Sequence, residues 1–238
     1  MKQVFRVFWG CTLAAALALT GCGRGGAPGS SGAGSMSGSG SGAMSGGTAG
    51  QEQAWRTGLG VVTEAAGSDR AGKITTAAAA VVLDADGKLA DVMLDELEIS
   101  ISAGSTGAVT TPEDVRSKRT KGADYPLAAA SSLGKGWAEQ ADHFADCLTG
   151  KTPDEVKKLK TDADGKPQDA DLLSGCTIAV DRYRDAVVQA CEQAKALGAA
   201  KGDTVSLNLL AADLPDDLTA TDDQDAHVQA DITLAALT

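Results

Sequence analysis

Twelve glycines and seven serines fill the 28 residues from Gly23 to Gly50, leaving almost no side chain that could be buried. Such a tract cannot offset the entropy of ordering its own backbone. Any fold must therefore be assembled from residues 51–238, a length suited to one domain with a sizeable core. Residues 22–50 read as a flexible linker that would span roughly 30 Å on average.

Ahead of the linker, Met1 to Arg6 carries two cations and no acid, and an apolar run follows from Val7 to Leu19. This is the layout of a secretory signal peptide. A run of that length rises only about 20 Å as a helix, short of the roughly 30 Å hydrocarbon core, so removal is expected rather than a permanent span. Leu19-Thr20-Gly21-Cys22 resembles the lipobox of bacterial lipoproteins. That resemblance implies a signal peptide over residues 1–21, cleavage before Cys22, lipid on the Cys22 sulfur, and attachment to the extracytoplasmic face of a cell membrane. Two acyl chains on that cysteine would suffice for stable anchoring.

Removing residues 1–21 takes away Lys2 and Arg6 and no acid, moving the formal charge from -11 to -13. So acidic a chain repels phosphate backbones, which argues against a nucleic-acid partner. Aromatic residues are only 3% of the chain, so the core must come largely from Val, Leu, Ile and Ala. Beyond Cys22, the remaining cysteines are Cys147, Cys176 and Cys191, an odd number that allows at most one internal disulfide. Neither His143 nor His227 sits in a ligand pattern, and both read as solvated surface residues.

Trp55 to Thr63 and Ile74 to Asp84 are short apolar, β-branched runs. Asp84-Ala85-Asp86-Gly87-Lys88 supplies a turn before Leu89 to Ile101, where alternating Leu97, Ile99 and Ile101 mark a half-buried strand, so a β-hairpin is expected. Helical spacing follows at Leu133, Trp137, Ala141, Phe144 and Leu148. A short second helix is expected behind Thr152 as N-cap with Pro153 at its first position. A third should run from Val180 through Tyr183, Val187 and Cys191 to Leu197, with Gly198 as its terminator. Thr204 to Leu214 and His227 to Leu237 are apolar runs that echo Leu59 to Val62 and Ile74 to Leu83. They suggest a partial repeat over residues 203–238 that starts a second copy or completes the first sheet. Strands, then helices, then strands argue an α+β fold: an antiparallel sheet packed with three main helices.

The Asp-Ala-Asp-Gly-Lys segments at 84–88 and 162–166 fail the calcium-loop pattern, since glycine falls fourth and no glutamate closes a loop; they read as turns. No phosphate-binding GxxxxGK[ST], HExxH or nucleophile elbow occurs, so nothing marks a hydrolase or transferase, and no enzymatic activity is expected. Asp171-Leu172-Leu173-Ser174-Gly175-Cys176-Thr177 is different. Small residues there would let backbone approach a bulky anion at the start of a helix, though the same residues would serve an ordinary loop-to-helix junction.

This segment resembles the Asp-x-x-Ser/Thr-Gly-Ala-Thr signature of FMN-binding domains, in which a flavin transferase joins FMN to the final threonine through a phosphoester. The Thr57 to Thr63 run, the turn at 84–88 and Ala130 to Trp137 are similar to pieces of flavin-linked surface lipoproteins. The resemblance implies covalent FMN on Thr177, Asp171 in the transferase recognition motif, and Ser174, Gly175 and Cys176 framing the phosphate. It further implies an electron carrier working between a membrane reductase and an extracellular acceptor, with the redox chemistry supplied by flavin. Cys176 stands where the family has alanine, and Ile178-Ala179 lacks the family's second hydroxyl residue. Those departures keep a second expectation alongside: a non-catalytic lipoprotein with a degenerate flavin site that binds a protein or small ligand.

Overall fold

The computed structural model describes residues 8–17, 54–68, 70–212, 214, 218–219 and 227–237. Cys22, the linker and the cleavage junction lie outside the described residues. The strands are β1 (Phe8–Leu17), β2 (Arg56–Ser68), β3 (Ala71–Leu83), β4 (Leu89–Ala103), β5 (Val109–Thr110), β6 (Ser206–Ala211) and β7 (His227–Leu237). The helices are α1 (Lys118–Lys121), α2 (Leu127–Ala130), α3 (Trp137–Leu148), α4 (Pro153–Lys157), α5 (Ala170–Leu173) and α6 (Asp181–Glu192). This is the expected α+β mixture, with main helices at the three expected places.

β2, β3, β4 and β5 form one antiparallel sheet in that order, and β6 and β7 pair antiparallel in a second sheet. In the full chain β1 runs parallel along the other edge of β7, from Phe8 opposite His227 to Leu17 opposite Ala236. The C-terminal pair therefore does not complete the first sheet by hydrogen bonding; it lies against one face of it. Leu97, Ile99 and Ile101 of β4 and Ala78, Ala80 and Val82 of β3 share one buried cluster with Leu207, Leu209, Ile232 and Leu234. The opposite face, with Ala77, Ala79, Val81, Val92 and Leu94, packs against Trp137, Phe144, Leu148, Ala186, Val187 and Ala190 of the helices. Both faces of the central sheet are thus covered, which is why β3 reads as a continuous apolar run rather than an alternating one.

Local chemistry sets the joints. Asp84 Oδ1 accepts from the N–H groups of Asp86 and Lys88 at 2.9 and 2.8 Å, and Asp162 Oδ1 accepts from Asp164 and Lys166 at 2.9 Å each. With Gly87 at φ 77° and Gly165 at φ 78°, the two Asp-Ala-Asp-Gly-Lys segments make the same Asx turn. Thr152 caps α4 with Pro153 at its start, as the pattern predicts. α3 begins at Trp137 behind Gly136, whose N–H donates to Glu139 Oε2 at 2.8 Å, so Leu133 lies before the helix. α6 stops at Glu192, well short of Gly198. There the chain returns to the sheet edge, where the Thr57 N–H donates to the Lys195 carbonyl at 3.0 Å and the Lys195 N–H to the Thr57 carbonyl at 2.9 Å. That pairing takes the backbone that further helix would need.

Among the described residues, no helix is long and apolar enough to cross a membrane.

Candidate functional site

β4 runs its interior residues out toward the ends of α1, α3 and α6, and there the apolar pattern breaks. Asp95 and Glu96 are both buried. Asp95 Oδ1 accepts from the Arg119 N–H at 3.1 Å, and Arg119 Nε donates to the Leu94 carbonyl at 2.8 Å, seating α1 along β4. Burial lifts the Asp95 carboxyl above the ordinary range, against hydrogen bonds from Ser117, Arg119 and Glu96 that pull it down.

Glu96 faces the helices. Lys118 Nζ lies 2.5 Å from its Oε1, and the Tyr183 hydroxyl donates to its Oε2 at 2.5 Å, with Arg182 Nη2 at 3.7 Å. Trp137 Nε1 donates to the same tyrosine oxygen at 3.1 Å, and the two rings meet edge to face at 5.8 Å. Burial, followed by the Glu96 charge, holds the Tyr183 hydroxyl well above its ordinary value, so it stays a donor. Burial alone would lower Lys118, but the Glu96 charge together with hydrogen bonds to Glu96 and Tyr125 outweighs it and raises the ammonium. Among the described residues Arg182 Nε is buried with no hydrogen-bond partner, while Nη1 of the same side chain reaches out to Glu64 at 3.1 Å.

These groups form the floor of a pocket of about 490 Å³, walled by Tyr125, Leu127, Ser131, Lys166, Thr177 and Ile178. The volume is that of a small-molecule site, and aromatic faces, aliphatic carbon, the Glu96 carboxylate and the cations Lys118, Lys166 and Arg182 converge on it. A second pocket of about 450 Å³ lies beside Thr57 and Leu59 at the sheet edge, but its Gln189 Oε1 is occupied by the Val61 N–H at 2.5 Å.

No protein-family model, curated protein or solved structure matches this chain.

The residues expected to act with Thr177 divide around it. Thr177 stands on the pocket wall, its N–H and hydroxyl both donating to Gln140 Oε1 at 2.9 and 3.1 Å. Asp171 and Ser174 are exposed in and just after α5, where the Ser174 hydroxyl donates to the Asp171 carbonyl at 2.7 Å; neither lines the pocket. Cys176 points into the core, fully buried, with burial raising its thiol to about 11. Its side chain therefore cannot frame an anion in the pocket. Gly175 is small for a different reason than anion approach: a Cβ there would sit 2.3 Å from Cγ of His143. His143 is accordingly not a solvated bystander. Its ring packs on this loop, and its Nε2 lies 3.0 Å from the Asp171 carbonyl oxygen.

Cys147, Cys176 and Cys191 stand as free thiols, and the described residues hold no group of three or more potential metal ligands. The pocket residues Glu96, Lys118 and Arg182, and the buried Gln140 behind Thr177, carry no sequence pattern that singles them out. One signal does exist: Asp95 and Glu96 are consecutive acids in a strand, so one on each face, and one of them must point inward whichever face is buried.

Proposed function

We propose that this chain is a membrane-tethered extracytoplasmic lipoprotein, anchored through Cys22, that carries FMN on Thr177 and works as an electron carrier. The observation that carries the reading is the position of Thr177 on the wall of a pocket lined by Tyr125, Trp137, Lys118 and Arg182. A threonine ester to a flavin phosphate needs an accessible hydroxyl, cations to offset the phosphate, and aromatic or aliphatic walls for the ring. Nε of Arg182 is a donor of the right charge with no hydrogen-bond partner among the described residues. In this reading Lys118 and Arg182 offset phosphate charge, Tyr125 and Trp137 shield the ring from water, and Tyr183 remains a neutral hydrogen-bond donor. The bound flavin would supply the capacity to accept and pass electrons. A tether through Cys22 and the 22–50 linker would raise its effective concentration at a membrane reductase and at an extracellular acceptor.

Co-expression with a flavin transferase tests the covalent step. A gain of about 438 Da, FMN less water, mapped to Thr177 and abolished in Thr177→Val, is the expected result. Growth of Cys22→Ala should move the protein from the membrane to the soluble fraction, because acylation supplies the anchor.

A second reading, a non-catalytic lipoprotein holding a small ligand or a protein segment in the same pocket, is favoured by Glu96. Its carboxylate already neutralises Lys118 at 2.5 Å, so the pocket is less cationic than its lining suggests. An unmodified, colourless product after co-expression would support this reading and remove the first.

A further inference from the structure

We propose that Gln140 is the positioning residue that presents the Thr177 hydroxyl for ester formation, an inference that rests on Thr177 being the acceptor. Gln140 is fully buried on α3, and both ends of its amide are engaged. Nε2 donates to the Lys135 carbonyl and to Ser131 Oγ, each at 3.0 Å. Oε1 accepts from the Thr177 N–H at 2.9 Å and from Thr177 Oγ1 at 3.1 Å.

Two of these partners are chemically one-sided. A backbone carbonyl can only accept and a backbone N–H can only donate, so the amide has one workable orientation: turning it over would set oxygen against the Lys135 carbonyl and NH₂ against the Thr177 N–H. With Oε1 fixed toward Thr177, the threonine hydroxyl must be the donor in their contact. Its proton is directed onto Gln140, and the Oγ1 lone pairs are left free of that contact. The β-branched side chain has few rotamers with which to escape this arrangement.

The step this serves is a phosphoryl transfer without redox change. Thr177 Oγ1 attacks the phosphorus of a flavin phosphoanhydride, the Oγ1–P bond forms, the P–O bond to the leaving phosphate breaks, and the threonine proton ends on that leaving group. Gln140 takes no proton, since a neutral amide is too weak a base. It holds the nucleophile in one geometry, the kind of contribution that a small misplacement forfeits. After esterification Oγ1 has no proton to donate, yet the Thr177 N–H still holds Oε1, so the loop keeps its anchor.

The test measures labelling of the full chain by a flavin transferase with a flavin phosphoanhydride donor, followed by mass spectrometry at Thr177, giving kcat and KM for the protein substrate. Gln140→Leu is expected to lower kcat on the order of 10- to 100-fold with KM within about two-fold of wild type. Ser131→Ala, which removes one of two bonds to Nε2 along with the acceptor for the Leu133 N–H, should lower kcat by a smaller factor. A merely structural role would raise KM instead, as the transferase met a disordered loop. Wild-type kcat in both variants overturns the role of Gln140 while leaving flavin attachment standing. If Gln140→Leu fails to fold, Ser131→Ala decides alone: an unchanged kcat overturns the proposal. A wild-type chain that stays unlabelled overturns the flavin reading and this inference with it.

Discussion

A carboxylate inside a strand is expensive to desolvate, and Glu96 persists there because every direction around it is answered: Lys118 and Arg182 with charge, Tyr183 with a hydrogen bond. Tyr183 is the linchpin, since it donates to Glu96 and accepts from Trp137 Nε1. Tyr183→Phe should therefore destabilise the chain by about 1.5–3 kcal/mol near neutral pH, the scale for a buried hydrogen bond to a charged group. The pH dependence follows from the raised hydroxyl. An unfolded tyrosine ionises near 10.0, whereas the folded one stays protonated well above that, so its contribution is complete below 10.0 and drains as pH rises through the folded value. Urea titrations across the alkaline range should show the gap between wild type and Tyr183→Phe narrowing above 10.0; a gap independent of pH would contradict the account. This part of the site was half legible. Thr177 is marked by its own segment, and the consecutive acids at 95 and 96 break the alternation of their strand. But Lys118, Gln140 and Arg182 come from α1, α3 and α6, and no spacing along the chain announces that three helices will end over one point of β4.

At the scale of elements, the contact between β2 and α6 is made by what is missing. Gly58 and Gly60 share one face of β2, and a Cβ on Gly60 would fall 2.0 Å from the Ala186 carbonyl oxygen and 2.5 Å from the Ala190 nitrogen, atoms of helix backbone that cannot swing aside. Alanines at 186 and 190 complete the close approach, and this seating fixes where Arg182 and Tyr183 enter the pocket. Gly60→Ala should cost about 3 kcal/mol or more, at the upper end for overpacking, because the whole helix must lift. Gly104→Ala, whose Cβ would meet nothing nearer than 3.7 Å, should change stability by under about 0.5 kcal/mol. Thermal unfolding of the pair distinguishes them, and equal effects would mean that helix contact is not what requires glycine at 60. The hairpin, the capped α4 and the helical phases of α3 and α6 were readable because each is specified by residues close in sequence. The end of α6 and the need for Gly58 and Gly60 were not, because both are imposed by long-range contact between β2 and α6. The C-terminal strands were readable as strands, but their placement as a separate layer depends on the second face of β4 being apolar as well. Val92 and Leu94 lie on one face, Leu97, Ile99 and Ile101 on the other, and that change of parity is the signal of a strand buried on both sides.

The molecule as a whole is three layers, helices over a four-stranded sheet over the C-terminal pair, and the layering bears on the N-terminus. In the full chain β1 lines the free edge of β7, yet cleavage before Cys22 would take β1 away. The C-terminal layer has ties besides that edge: Leu209, Ile232 and Leu234 pack against the sheet, and the Val205 N–H donates to Asp91 Oδ2 at 2.7 Å. Edge pairing contributes backbone hydrogen bonds that water can replace, whereas face packing removes apolar area from water and has no such substitute. The chain from residue 54 to 238 is therefore expected to unfold in one cooperative transition with a midpoint within about 4 °C of the full chain, roughly the shift that 1 kcal/mol produces in a protein of this size. Deleting residues 204–238 instead should uncover Ala80, Val82, Leu97 and Ile99 and give a chain that aggregates or binds hydrophobic dyes. If the chain from residue 54 melts broadly while the full chain melts sharply, β1 is a working strand of the fold. Residues 1–21 could not then be a removable leader, and the anchor at Cys22 would fall with them.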